Sequence, residues 1–372
     1  MRIAIEALGI HYVGGGRTAT LNLLEPLFEL DTENEYLVLL TQPEPSLQTP
    51  AGNVRQWIAP LWNRVLLRLW AQLVLPPALR GYDLTHFVKM MGVFGVPTRT
   101  VVTMYDVTTL VHPEIFPWLD VWYWRTLQKR TLVNADMVIA ISQNTAREVA
   151  RFYPVRPERL TVIYPGLGPQ FRPASAADIA DFRRRYSLPV DYIAFVGHLE
   201  RKKNLSMLVE AFAQIRNQLC PGTKLVLAGE EYPRMRDPSL YAAIDALNLR
   251  DDVIFTGRLS DSDVPVLFSG AQAAVFPSLH EGFGLSPLEA LACGAPLITS
   301  AAGAVSEAVG DAAEVVVAPD TASFGAALLR VAGDEGRRRD LRRRGLEQAA
   351  RFAREQTARQ TLALYREVVI GR

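Results

Sequence analysis

The chain has 372 residues, too many for one ordinary hydrophobic core and enough for two domains of about 150–200 residues each. Hydrophobic residues make up 49% and charged residues 21%, with a formal net charge of +1. Both domains can therefore be well filled, no global field draws the chain to nucleic acid, and any anion site must come from a local cluster.

Met1 leads directly into Arg2-Ile3-Ala4-Ile5, which reads as a first strand rather than a signal peptide. Short β-branched runs then alternate with helical patterns. Strands are expected at Arg2–Leu8, Tyr36–Leu40, Asp83–Phe87, Thr98–Tyr105, Met137–Ser142 and Leu160–Tyr164. The longest apolar stretch, Val65 to Leu79, is interrupted by Arg68, Gln72 and Pro76-Pro77 and is too short to span a bilayer. Breakers cluster at Pro165-Gly166-Leu167-Gly168-Pro169, which suits a hinge. A second strand series follows at Tyr192–Gly197, Lys224–Gly229, Val253–Gly257, Ala273–Pro277, Pro296–Ser300 and Glu314–Val317. Near-continuous apolar runs such as Ile193-Ala194-Phe195-Val196 are those of parallel strands buried on both faces. The pattern is α/β, two successive doubly wound units. From Asp320 the chain reads as helical. Its basic run Arg337-Arg338-Arg339 and Arg342-Arg343-Arg344 reads as a solvated helix face, with a patch for an anionic membrane or nucleic acid as the alternative. Cys220 and Cys293 lack paired spacing. With no secretion signal, they read as free, buried thiols in a reducing compartment.

Chemistry concentrates in two segments. His280-Glu281-Gly282-Phe283-Gly284-Leu285-Ser286-Pro287-Leu288-Glu289 follows a buried strand and opens a helix. Ser286 is expected as N-cap, with Pro287 first in the helix, Glu289 completing a capping box and Gly294 ending the helix. Gly282 and Gly284 let the backbone approach a ligand, and unpaired N–H groups at a helix start favour a pyrophosphate. Glu281 and Glu289 can accept hydrogen bonds from sugar hydroxyls; for Glu289, capping alone is the plainer reading, and the two do not exclude each other. The second segment, Gly197-His198-Leu199-Glu200-Arg201-Lys202-Lys203-Asn204, puts three consecutive cations before a helix whose N-cap is Asn204. Cations there oppose the helix dipole by about 0.3–1 kcal/mol each, so a bound polyanion makes better sense of them than a solvated turn.

These residues carry a resemblance. Glu281 to Glu289 looks like the E-x7-E motif of the retaining, mannosyltransferase-like enzymes of glycosyltransferase family 4. Gly197 to Asn204 resembles that family's glycine-to-Lys-Asn loop, Ser300 to Glu307 its small-residue turn ending in Glu, and Val102 to Asp106 with His112-Pro113-Glu114 its acceptor-side segment. The resemblance implies a GT-B fold, two Rossmann-like doubly wound domains facing across a cleft. Residues 1–168 would form the acceptor-side domain, with a C-terminal helix at about 355–372 packing back on it, and 169–354 the nucleotide-sugar donor-binding domain.

It also implies roles. Lys203 and Lys202 would hold the donor pyrophosphate and neutralise the leaving group, Glu281 would contact the donor sugar, and Asp106 would join this catalytic set. Glu289 would bind the ribose. Gly197, His198 and the backbone N–H groups of Phe283, Gly284 and Leu285 would line the donor site. The Gly257-Arg258-Leu259 turn would face the nucleobase, Gly15 and Gly16 would approach the donor phosphate, and Tyr105 and His112 would stand on the acceptor side. The family often has His where Tyr105 stands and Arg where His198 stands. The implied activity is metal-independent transfer of a hexose, mannose first, from a GDP- or UDP-sugar to a glycan or lipid-linked glycan in polysaccharide biosynthesis. No cofactor and no nucleic acid is implied, and the place is the cytoplasm or the inner face of its membrane.

Three other readings compete. Gly14-Gly15-Gly16-Arg17-Thr18-Ala19 fits G-x-G-x-x-A, which would suit an NAD-dependent oxidoreductase or epimerase. However, the glycines come late after the first strand, and Thr41-Gln42 stand where an acid belongs. Asp261-Ser262-Asp263 spells a metal-binding D-x-D, but Ser260 is placed to cap a helix with Asp263 three residues on. A catalytically weak binding subunit with the same fold is the third, and slow donor hydrolysis would discriminate against it. All six tryptophans, Trp57, Trp62, Trp70, Trp118, Trp122 and Trp124, fall in the first half among Arg64, Arg68, Arg125, Lys129 and Arg130. That mixture suits a peripheral membrane contact and equally a packed core with a wet edge.

Overall fold

The computed structural model describes residues 1–371 apart from 12–13, 61–63, 90–91 and 232–235. Among the described residues, thirteen strands form two sheets in which every strand pairing is parallel. The first sheet holds β1 (Arg2–Glu6), β2 (Glu35–Leu40), β3 (Val54–Ile58), β4 (Leu84–Phe87), β5 (Arg99–Met104), β6 (Met137–Ala140) and β7 (Leu160–Val162), in the order β3-β2-β1-β4-β5-β6-β7. The second holds β8 (Tyr192–Val196), β9 (Lys224–Ala228), β10 (Val253–Gly257), β11 (Ala273–Phe276), β12 (Leu297–Ser300) and β13 (Ala313–Val316), in the order β10-β9-β8-β11-β12-β13. Strand order reverses between β1 and β4 in one sheet and between β8 and β11 in the other. In open parallel sheets, the ends of such strands form a crevice for ligands.

The strands form where the apolar runs are. Ile193, Ala194 and Phe195 in β8 and all of β11 are buried, as helices on both faces require. β3 is an addition to the sequence reading. Its Val-Arg-Gln-Trp-Ile pairs with β2 alone at the sheet edge and buries no residue fully, so it lacks the apolar run that marks the others.

The chain divides into two compact units, Met1–Gly166 with Phe352–Arg372, and Leu167–Arg351. The C-terminal helix Arg354–Ile370 belongs to the first unit, where Ala358, Leu364, Tyr365 and Val368 enter the core with Ile3, Ile5 and Leu84. The start of this helix comes so close to Gly166 that a Cβ there would lie 2.2 Å from Cα of Arg354. Arg354 pairs with Glu25 at 2.9 Å, and Thr357 donates to the Tyr164 carbonyl at 2.8 Å.

In the second unit, the basic run lies on helix Glu335–Ala349. Its guanidinium groups are engaged within their own unit. Arg337 pairs with Glu314, Arg342 donates to the Gly294 carbonyl, and Arg344 donates to the Asp311 carbonyl and pairs with Asp340. Of the two cysteines, Cys293 is buried but Cys220 is exposed, which corrects the expectation for it. Cys220 sits just before a Pro-Gly turn, outside the apolar face of the preceding helix.

One buried polar chain ties the C-terminal helix to the first sheet. Tyr365 Oη lies 2.5 Å from His86 Nδ1, and His86 Nε2 lies 2.7 Å from Thr103 Oγ1. Burial pushes the His86 imidazole down to about 3, so the ring is neutral and each nitrogen needs its partner. Tyr365→Phe is expected to cost about 1–3 kcal/mol by orphaning Nδ1, measured by urea unfolding of the intact chain.

Candidate active site

Three of the loops at the C-terminal edge of the second sheet, those after β8, β11 and β12, come together. After β8 the chain turns at Gly197 (φ +156°), whose N–H donates to the Ala228 carbonyl at 3.0 Å. Gly229 (φ +147°) packs so tightly on this turn that a Cβ there would meet the Gly197 carbonyl oxygen at 1.8 Å. His198 is half-buried beside it. A 3-10 turn, Arg201–Lys203, follows, and Asn204 enters helix Leu205–Ile215 in the left-handed conformation (φ +54°, ψ +41°). Asn204 stands at the N-cap as expected, yet its side chain makes no capping bond. The position uses asparagine's tolerance of left-handed backbone instead.

The loop after β11 is pinned to this turn. The Leu279 N–H donates to the Lys202 carbonyl at 2.8 Å, and Ser300 Oγ of β12 donates to the Ser278 carbonyl at 2.6 Å. The Glu281 carbonyl accepts from the Ala304 N–H at 2.9 Å, where Gly303 (φ +61°) leaves no room for a side chain. With its backbone held by the third loop, Glu281 presents its carboxylate to the first. Lys203 Nζ lies 2.5 Å from Oε1 and Ser278 Oγ donates to the same oxygen at 2.6 Å. Among the described residues, nothing hydrogen-bonds to Oε2. Burial pushes the carboxyl up, but the charges of Lys203 and Lys202 and the bonds from Lys203 and Ser278 outweigh it and hold it at about 2. Glu281 is therefore an ionised acceptor at any working pH.

Helix Leu285–Ala292 begins one residue beyond Gly284, which is left-handed (φ +102°) and has no capping side chain. The expected capping box is therefore corrected. Ser286 and Pro287 lie inside the first turn, where proline's missing N–H costs no helical bond, and Glu289 lies beyond it. Val305 sits 3.4 Å from where a Gly284 Cβ would be, so the third loop shapes this helix start too. At the other end Gly294 (φ +73°) follows the cap, and the Ala295 N–H bonds back to the Ala290 carbonyl at 3.0 Å, a Schellman closure.

Relieved of capping, Glu289 is a buried carboxyl with no hydrogen bond to its side chain among the described residues. Burial, and then the charge of Asp261, push it from its ordinary 4.5 up to about 8. Of the Gly257-Arg258-Leu259 turn, Gly257 is left-handed (φ +67°), Arg258 is exposed, and Leu259 packs into the core. Contact from Leu259 to a ligand would thus come from its backbone. In the D-x-D segment, Asp263 pairs with Arg185 at 2.7 Å and opens helix Asp263–Gly270, whose N-cap is Ser262 without a side-chain capping bond; Ser260, expected as the cap, stands two residues earlier, and its Oγ accepts from the Asp263 N–H at 3.1 Å.

The first unit gathers a separate group at its own strand ends. Gly15 and Gly16 open helix Gly15–Leu30 behind Gly14 (φ +133°). Tyr105 Oη lies 2.9 Å from Thr20 Oγ1 of that helix. Asp106 accepts from the Thr108 N–H at 3.0 Å, and His112 lies 3.1 Å from Glu114. Two residues absent from the sequence reading complete the group. Lys89 follows β4, with Nζ 5.9 Å from the Tyr105 ring and 2.7 Å from where a Gly16 Cβ would be. Glu6 ends β1, fully buried, with Oε1 accepting from the Leu8 N–H at 2.9 Å and Oε2 unpartnered among the described residues. Burial pushes Glu6 up to about 7 against the pull of the Leu8 N–H and Lys89. Burial likewise pushes Lys89 down to about 8, against the pull of Glu6. A lone lysine in the apolar run Phe87–Val96, just past a strand, was the available signal for Lys89. Ser278, two residues past β11, had none beyond position.

Glu289 has a pH consequence with a definite sign. A carboxyl whose folded pKa is raised penalises the folded state once the unfolded chain would ionise it, from about pH 4.5, and in full above about pH 8. Glu289→Gln is expected to unfold later than wild type in urea at pH 8.5, by more than about 1 kcal/mol, with the gap closing towards pH 4.5. A gap that does not vary with pH would mean that the carboxyl is ordinary.

Comparison with known proteins shows the family and the fold. Residues 13–171 match the family described as Glycosyltransferase Family 4, and residues 180–348 match Glycosyl transferases group 1. The serotype-specific mannosyltransferase WbdA of Escherichia coli is 31% identical over 71% of this chain, an alignment that spans only 33% of its own length. The O-antigen chain mannosyltransferase B of Escherichia coli is 28% identical over 72% of this chain and 70% of its own. Among solved structures, sucrose-phosphate synthase from Thermosynechococcus elongatus superposes with a TM-score of 0.81 at 23% identity over the whole of both chains. HepE of Anabaena, in complex with UDP and glucose, gives 0.77 at 21% over 98% of each. WaaG, a glycosyltransferase involved in lipopolysaccharide biosynthesis, gives 0.79 at 16% over 98% of this chain and 99% of its own. Matched in both halves, with the α/β GT-B fold, this chain belongs to glycosyltransferase family 4.

Proposed function

We propose that the protein is a retaining, metal-independent hexosyltransferase. It would move mannose from a nucleoside-diphosphate donor to a glycan or lipid-linked glycan in the biosynthesis of a surface polysaccharide. The observation that carries this reading is the Lys203–Glu281–Ser278 contact, with Lys202 beside it, next to the start of helix Leu285–Ala292.

A donor diphosphate leaves as a polyanion. Lys202 and Lys203 supply at that place the positive charge a divalent cation would otherwise bring, and the first-turn N–H groups of the helix add a positive dipole end. Glu281, ionised and held through Oε1, directs Oε2 at the hydroxyls of the donor sugar. Glu289 is placed to exchange hydrogen bonds with the ribose hydroxyls, which would relieve its burial. In the step itself the bond from the anomeric carbon to the phosphate oxygen breaks and a bond to the acceptor oxygen forms on the same face. The acceptor hydroxyl proton passes to the departing phosphate. Asp106 completes the catalytic set, and Tyr105 and His112 remain the acceptor side.

The two mannosyltransferase relatives support mannose, hence GDP as carrier. HepE, solved with UDP and glucose, supports UDP as the second reading. The exposed, unpaired thiol of Cys220 supports a reducing compartment, the cytoplasm.

The test is thermal unfolding of wild type and Lys203→Ala with GDP, UDP, ADP or NAD, in the presence of a chelator. At 100 times its dissociation constant, a ligand should stabilise wild type by about 2.7 kcal/mol. One nucleoside diphosphate is expected to shift wild type and not the variant, whatever the variant's own melting point. A shift by NAD alone, or by none without a divalent ion, would sink the metal-free transferase reading.

A further inference from the structure

Helix Arg64–Ala78 in the first unit is apolar on two sides. Leu67, Ala71 and Leu75 face the core, while Leu66, Leu69 and Leu73 face outward, Leu73 with 74% exposure. Gln72, the one uncharged polar residue of its middle turns, is taken up by both backbone groups of Phe94. A second segment, helix Trp118–Tyr123 with the π-turn Trp124–Gln128, exposes Trp118 (74%), Leu119 and Trp122. The two are neighbours. Arg68 lies 4.2 Å over the Tyr123 ring, and Trp124 packs on the same core as Leu67 and Ala71. The tryptophans thus divide. Trp57 and Trp70 pack edge to face at 5.6 Å, half-buried against the core, Trp118 and Trp122 stand outside, and Trp62 lies outside the described residues.

Scattered exposed apolar residues need no explanation, but this concentration does. Of the seventeen large apolar residues exposed among the described residues, eight lie in these two segments. The charges around them are mostly positive. Residues 64–78 contain arginines and no acid, and 118–130 contain Arg125, Lys129 and Arg130 against Asp120 alone. A second copy meeting this face would set like charges together; an anionic surface would not.

We propose that this face of the first unit docks on an anionic lipid bilayer. The leucines and indoles enter the headgroup boundary, and Arg68, Arg125, Lys129 and Arg130 meet lipid phosphates. The inference adds the place of the acceptor to the transferase reading without depending on it, since docking needs no donor.

The test is co-sedimentation of the full chain with vesicles of phosphatidylcholine, alone or with about one-third phosphatidylglycerol. Wild type is expected to bind the anionic vesicles at least tenfold better than the neutral ones and to lose this preference in high salt. Leu69→Glu/Leu73→Glu, Trp118→Ala/Trp122→Ala and Arg125→Glu/Lys129→Glu should each weaken binding at least tenfold, with circular dichroism confirming that they fold. Val317→Glu, at an exposed apolar site of the other unit, and Lys203→Ala should bind as wild type, so a failed donor site and a failed docking face give different results. Equal binding to both vesicles, unchanged binding by the face variants, or a concentration-dependent dimer that Leu69→Glu/Leu73→Glu abolishes would each overturn the proposal.

Discussion

A carboxylate taken out of water must be paid for by fixed partners, and Glu281 shows what that demands of the fold around it. Its charge survives burial because a lysine and a serine share one oxygen and a second lysine stands near. Those partners come from different loops, so the loops must be locked together. Backbone bonds from Leu279 to Lys202 and from Ala304 to Glu281 do this, with the Ser300 hydroxyl donating to the Ser278 carbonyl. The tight approaches at Gly229 and Gly303 follow from the same crowding. The cation cluster, the carboxylate and the helix start are one object.

Glu289 makes the contrast. It lies eight residues on, buried inside the helix that follows, where burial and the charge of Asp261 act on it instead of two lysines, and the two acids are driven in opposite directions. One is a permanent anion and the other holds a proton near neutrality. Environments that separate the pKa values of paired acids commonly mark sites where the two do different work. The first unit repeats the theme with Glu6 and Lys89, whose burial draws an acid and a base towards one another at the strand ends.

Much of this was legible in the order of residues. Apolar runs such as Ala273–Phe276 announce buried parallel strands, and breakers such as Gly284 and Gly294 announce turns, because both are local consequences of side-chain chemistry. The edge strand Val54–Ile58 was not legible, since its Arg55 and Gln56 break the apolar signal and only pairing with β2 makes it a strand. The cap at Ser286 was a sound local pattern that lost to tertiary contact. Gly284, pressed against Val305, starts the helix earlier, and the serine is carried into the first turn. Cys220 likewise could not be placed by its type alone.

The sequence by itself determined the α/β class, the alternation into two doubly wound units and the presence of cations and carboxylates at strand ends. These depend on periodicity and residue type, which are properties of neighbours in the chain. Only the tertiary structure decided which of those groups touch. Lys203 and Glu281 are 78 residues apart in sequence and 2.5 Å apart in space, while Glu289, close in sequence, stays without a partner for its side chain among the described residues. Charge state follows from burial and from contacts between distant loops, and neither is written in any local run of residues.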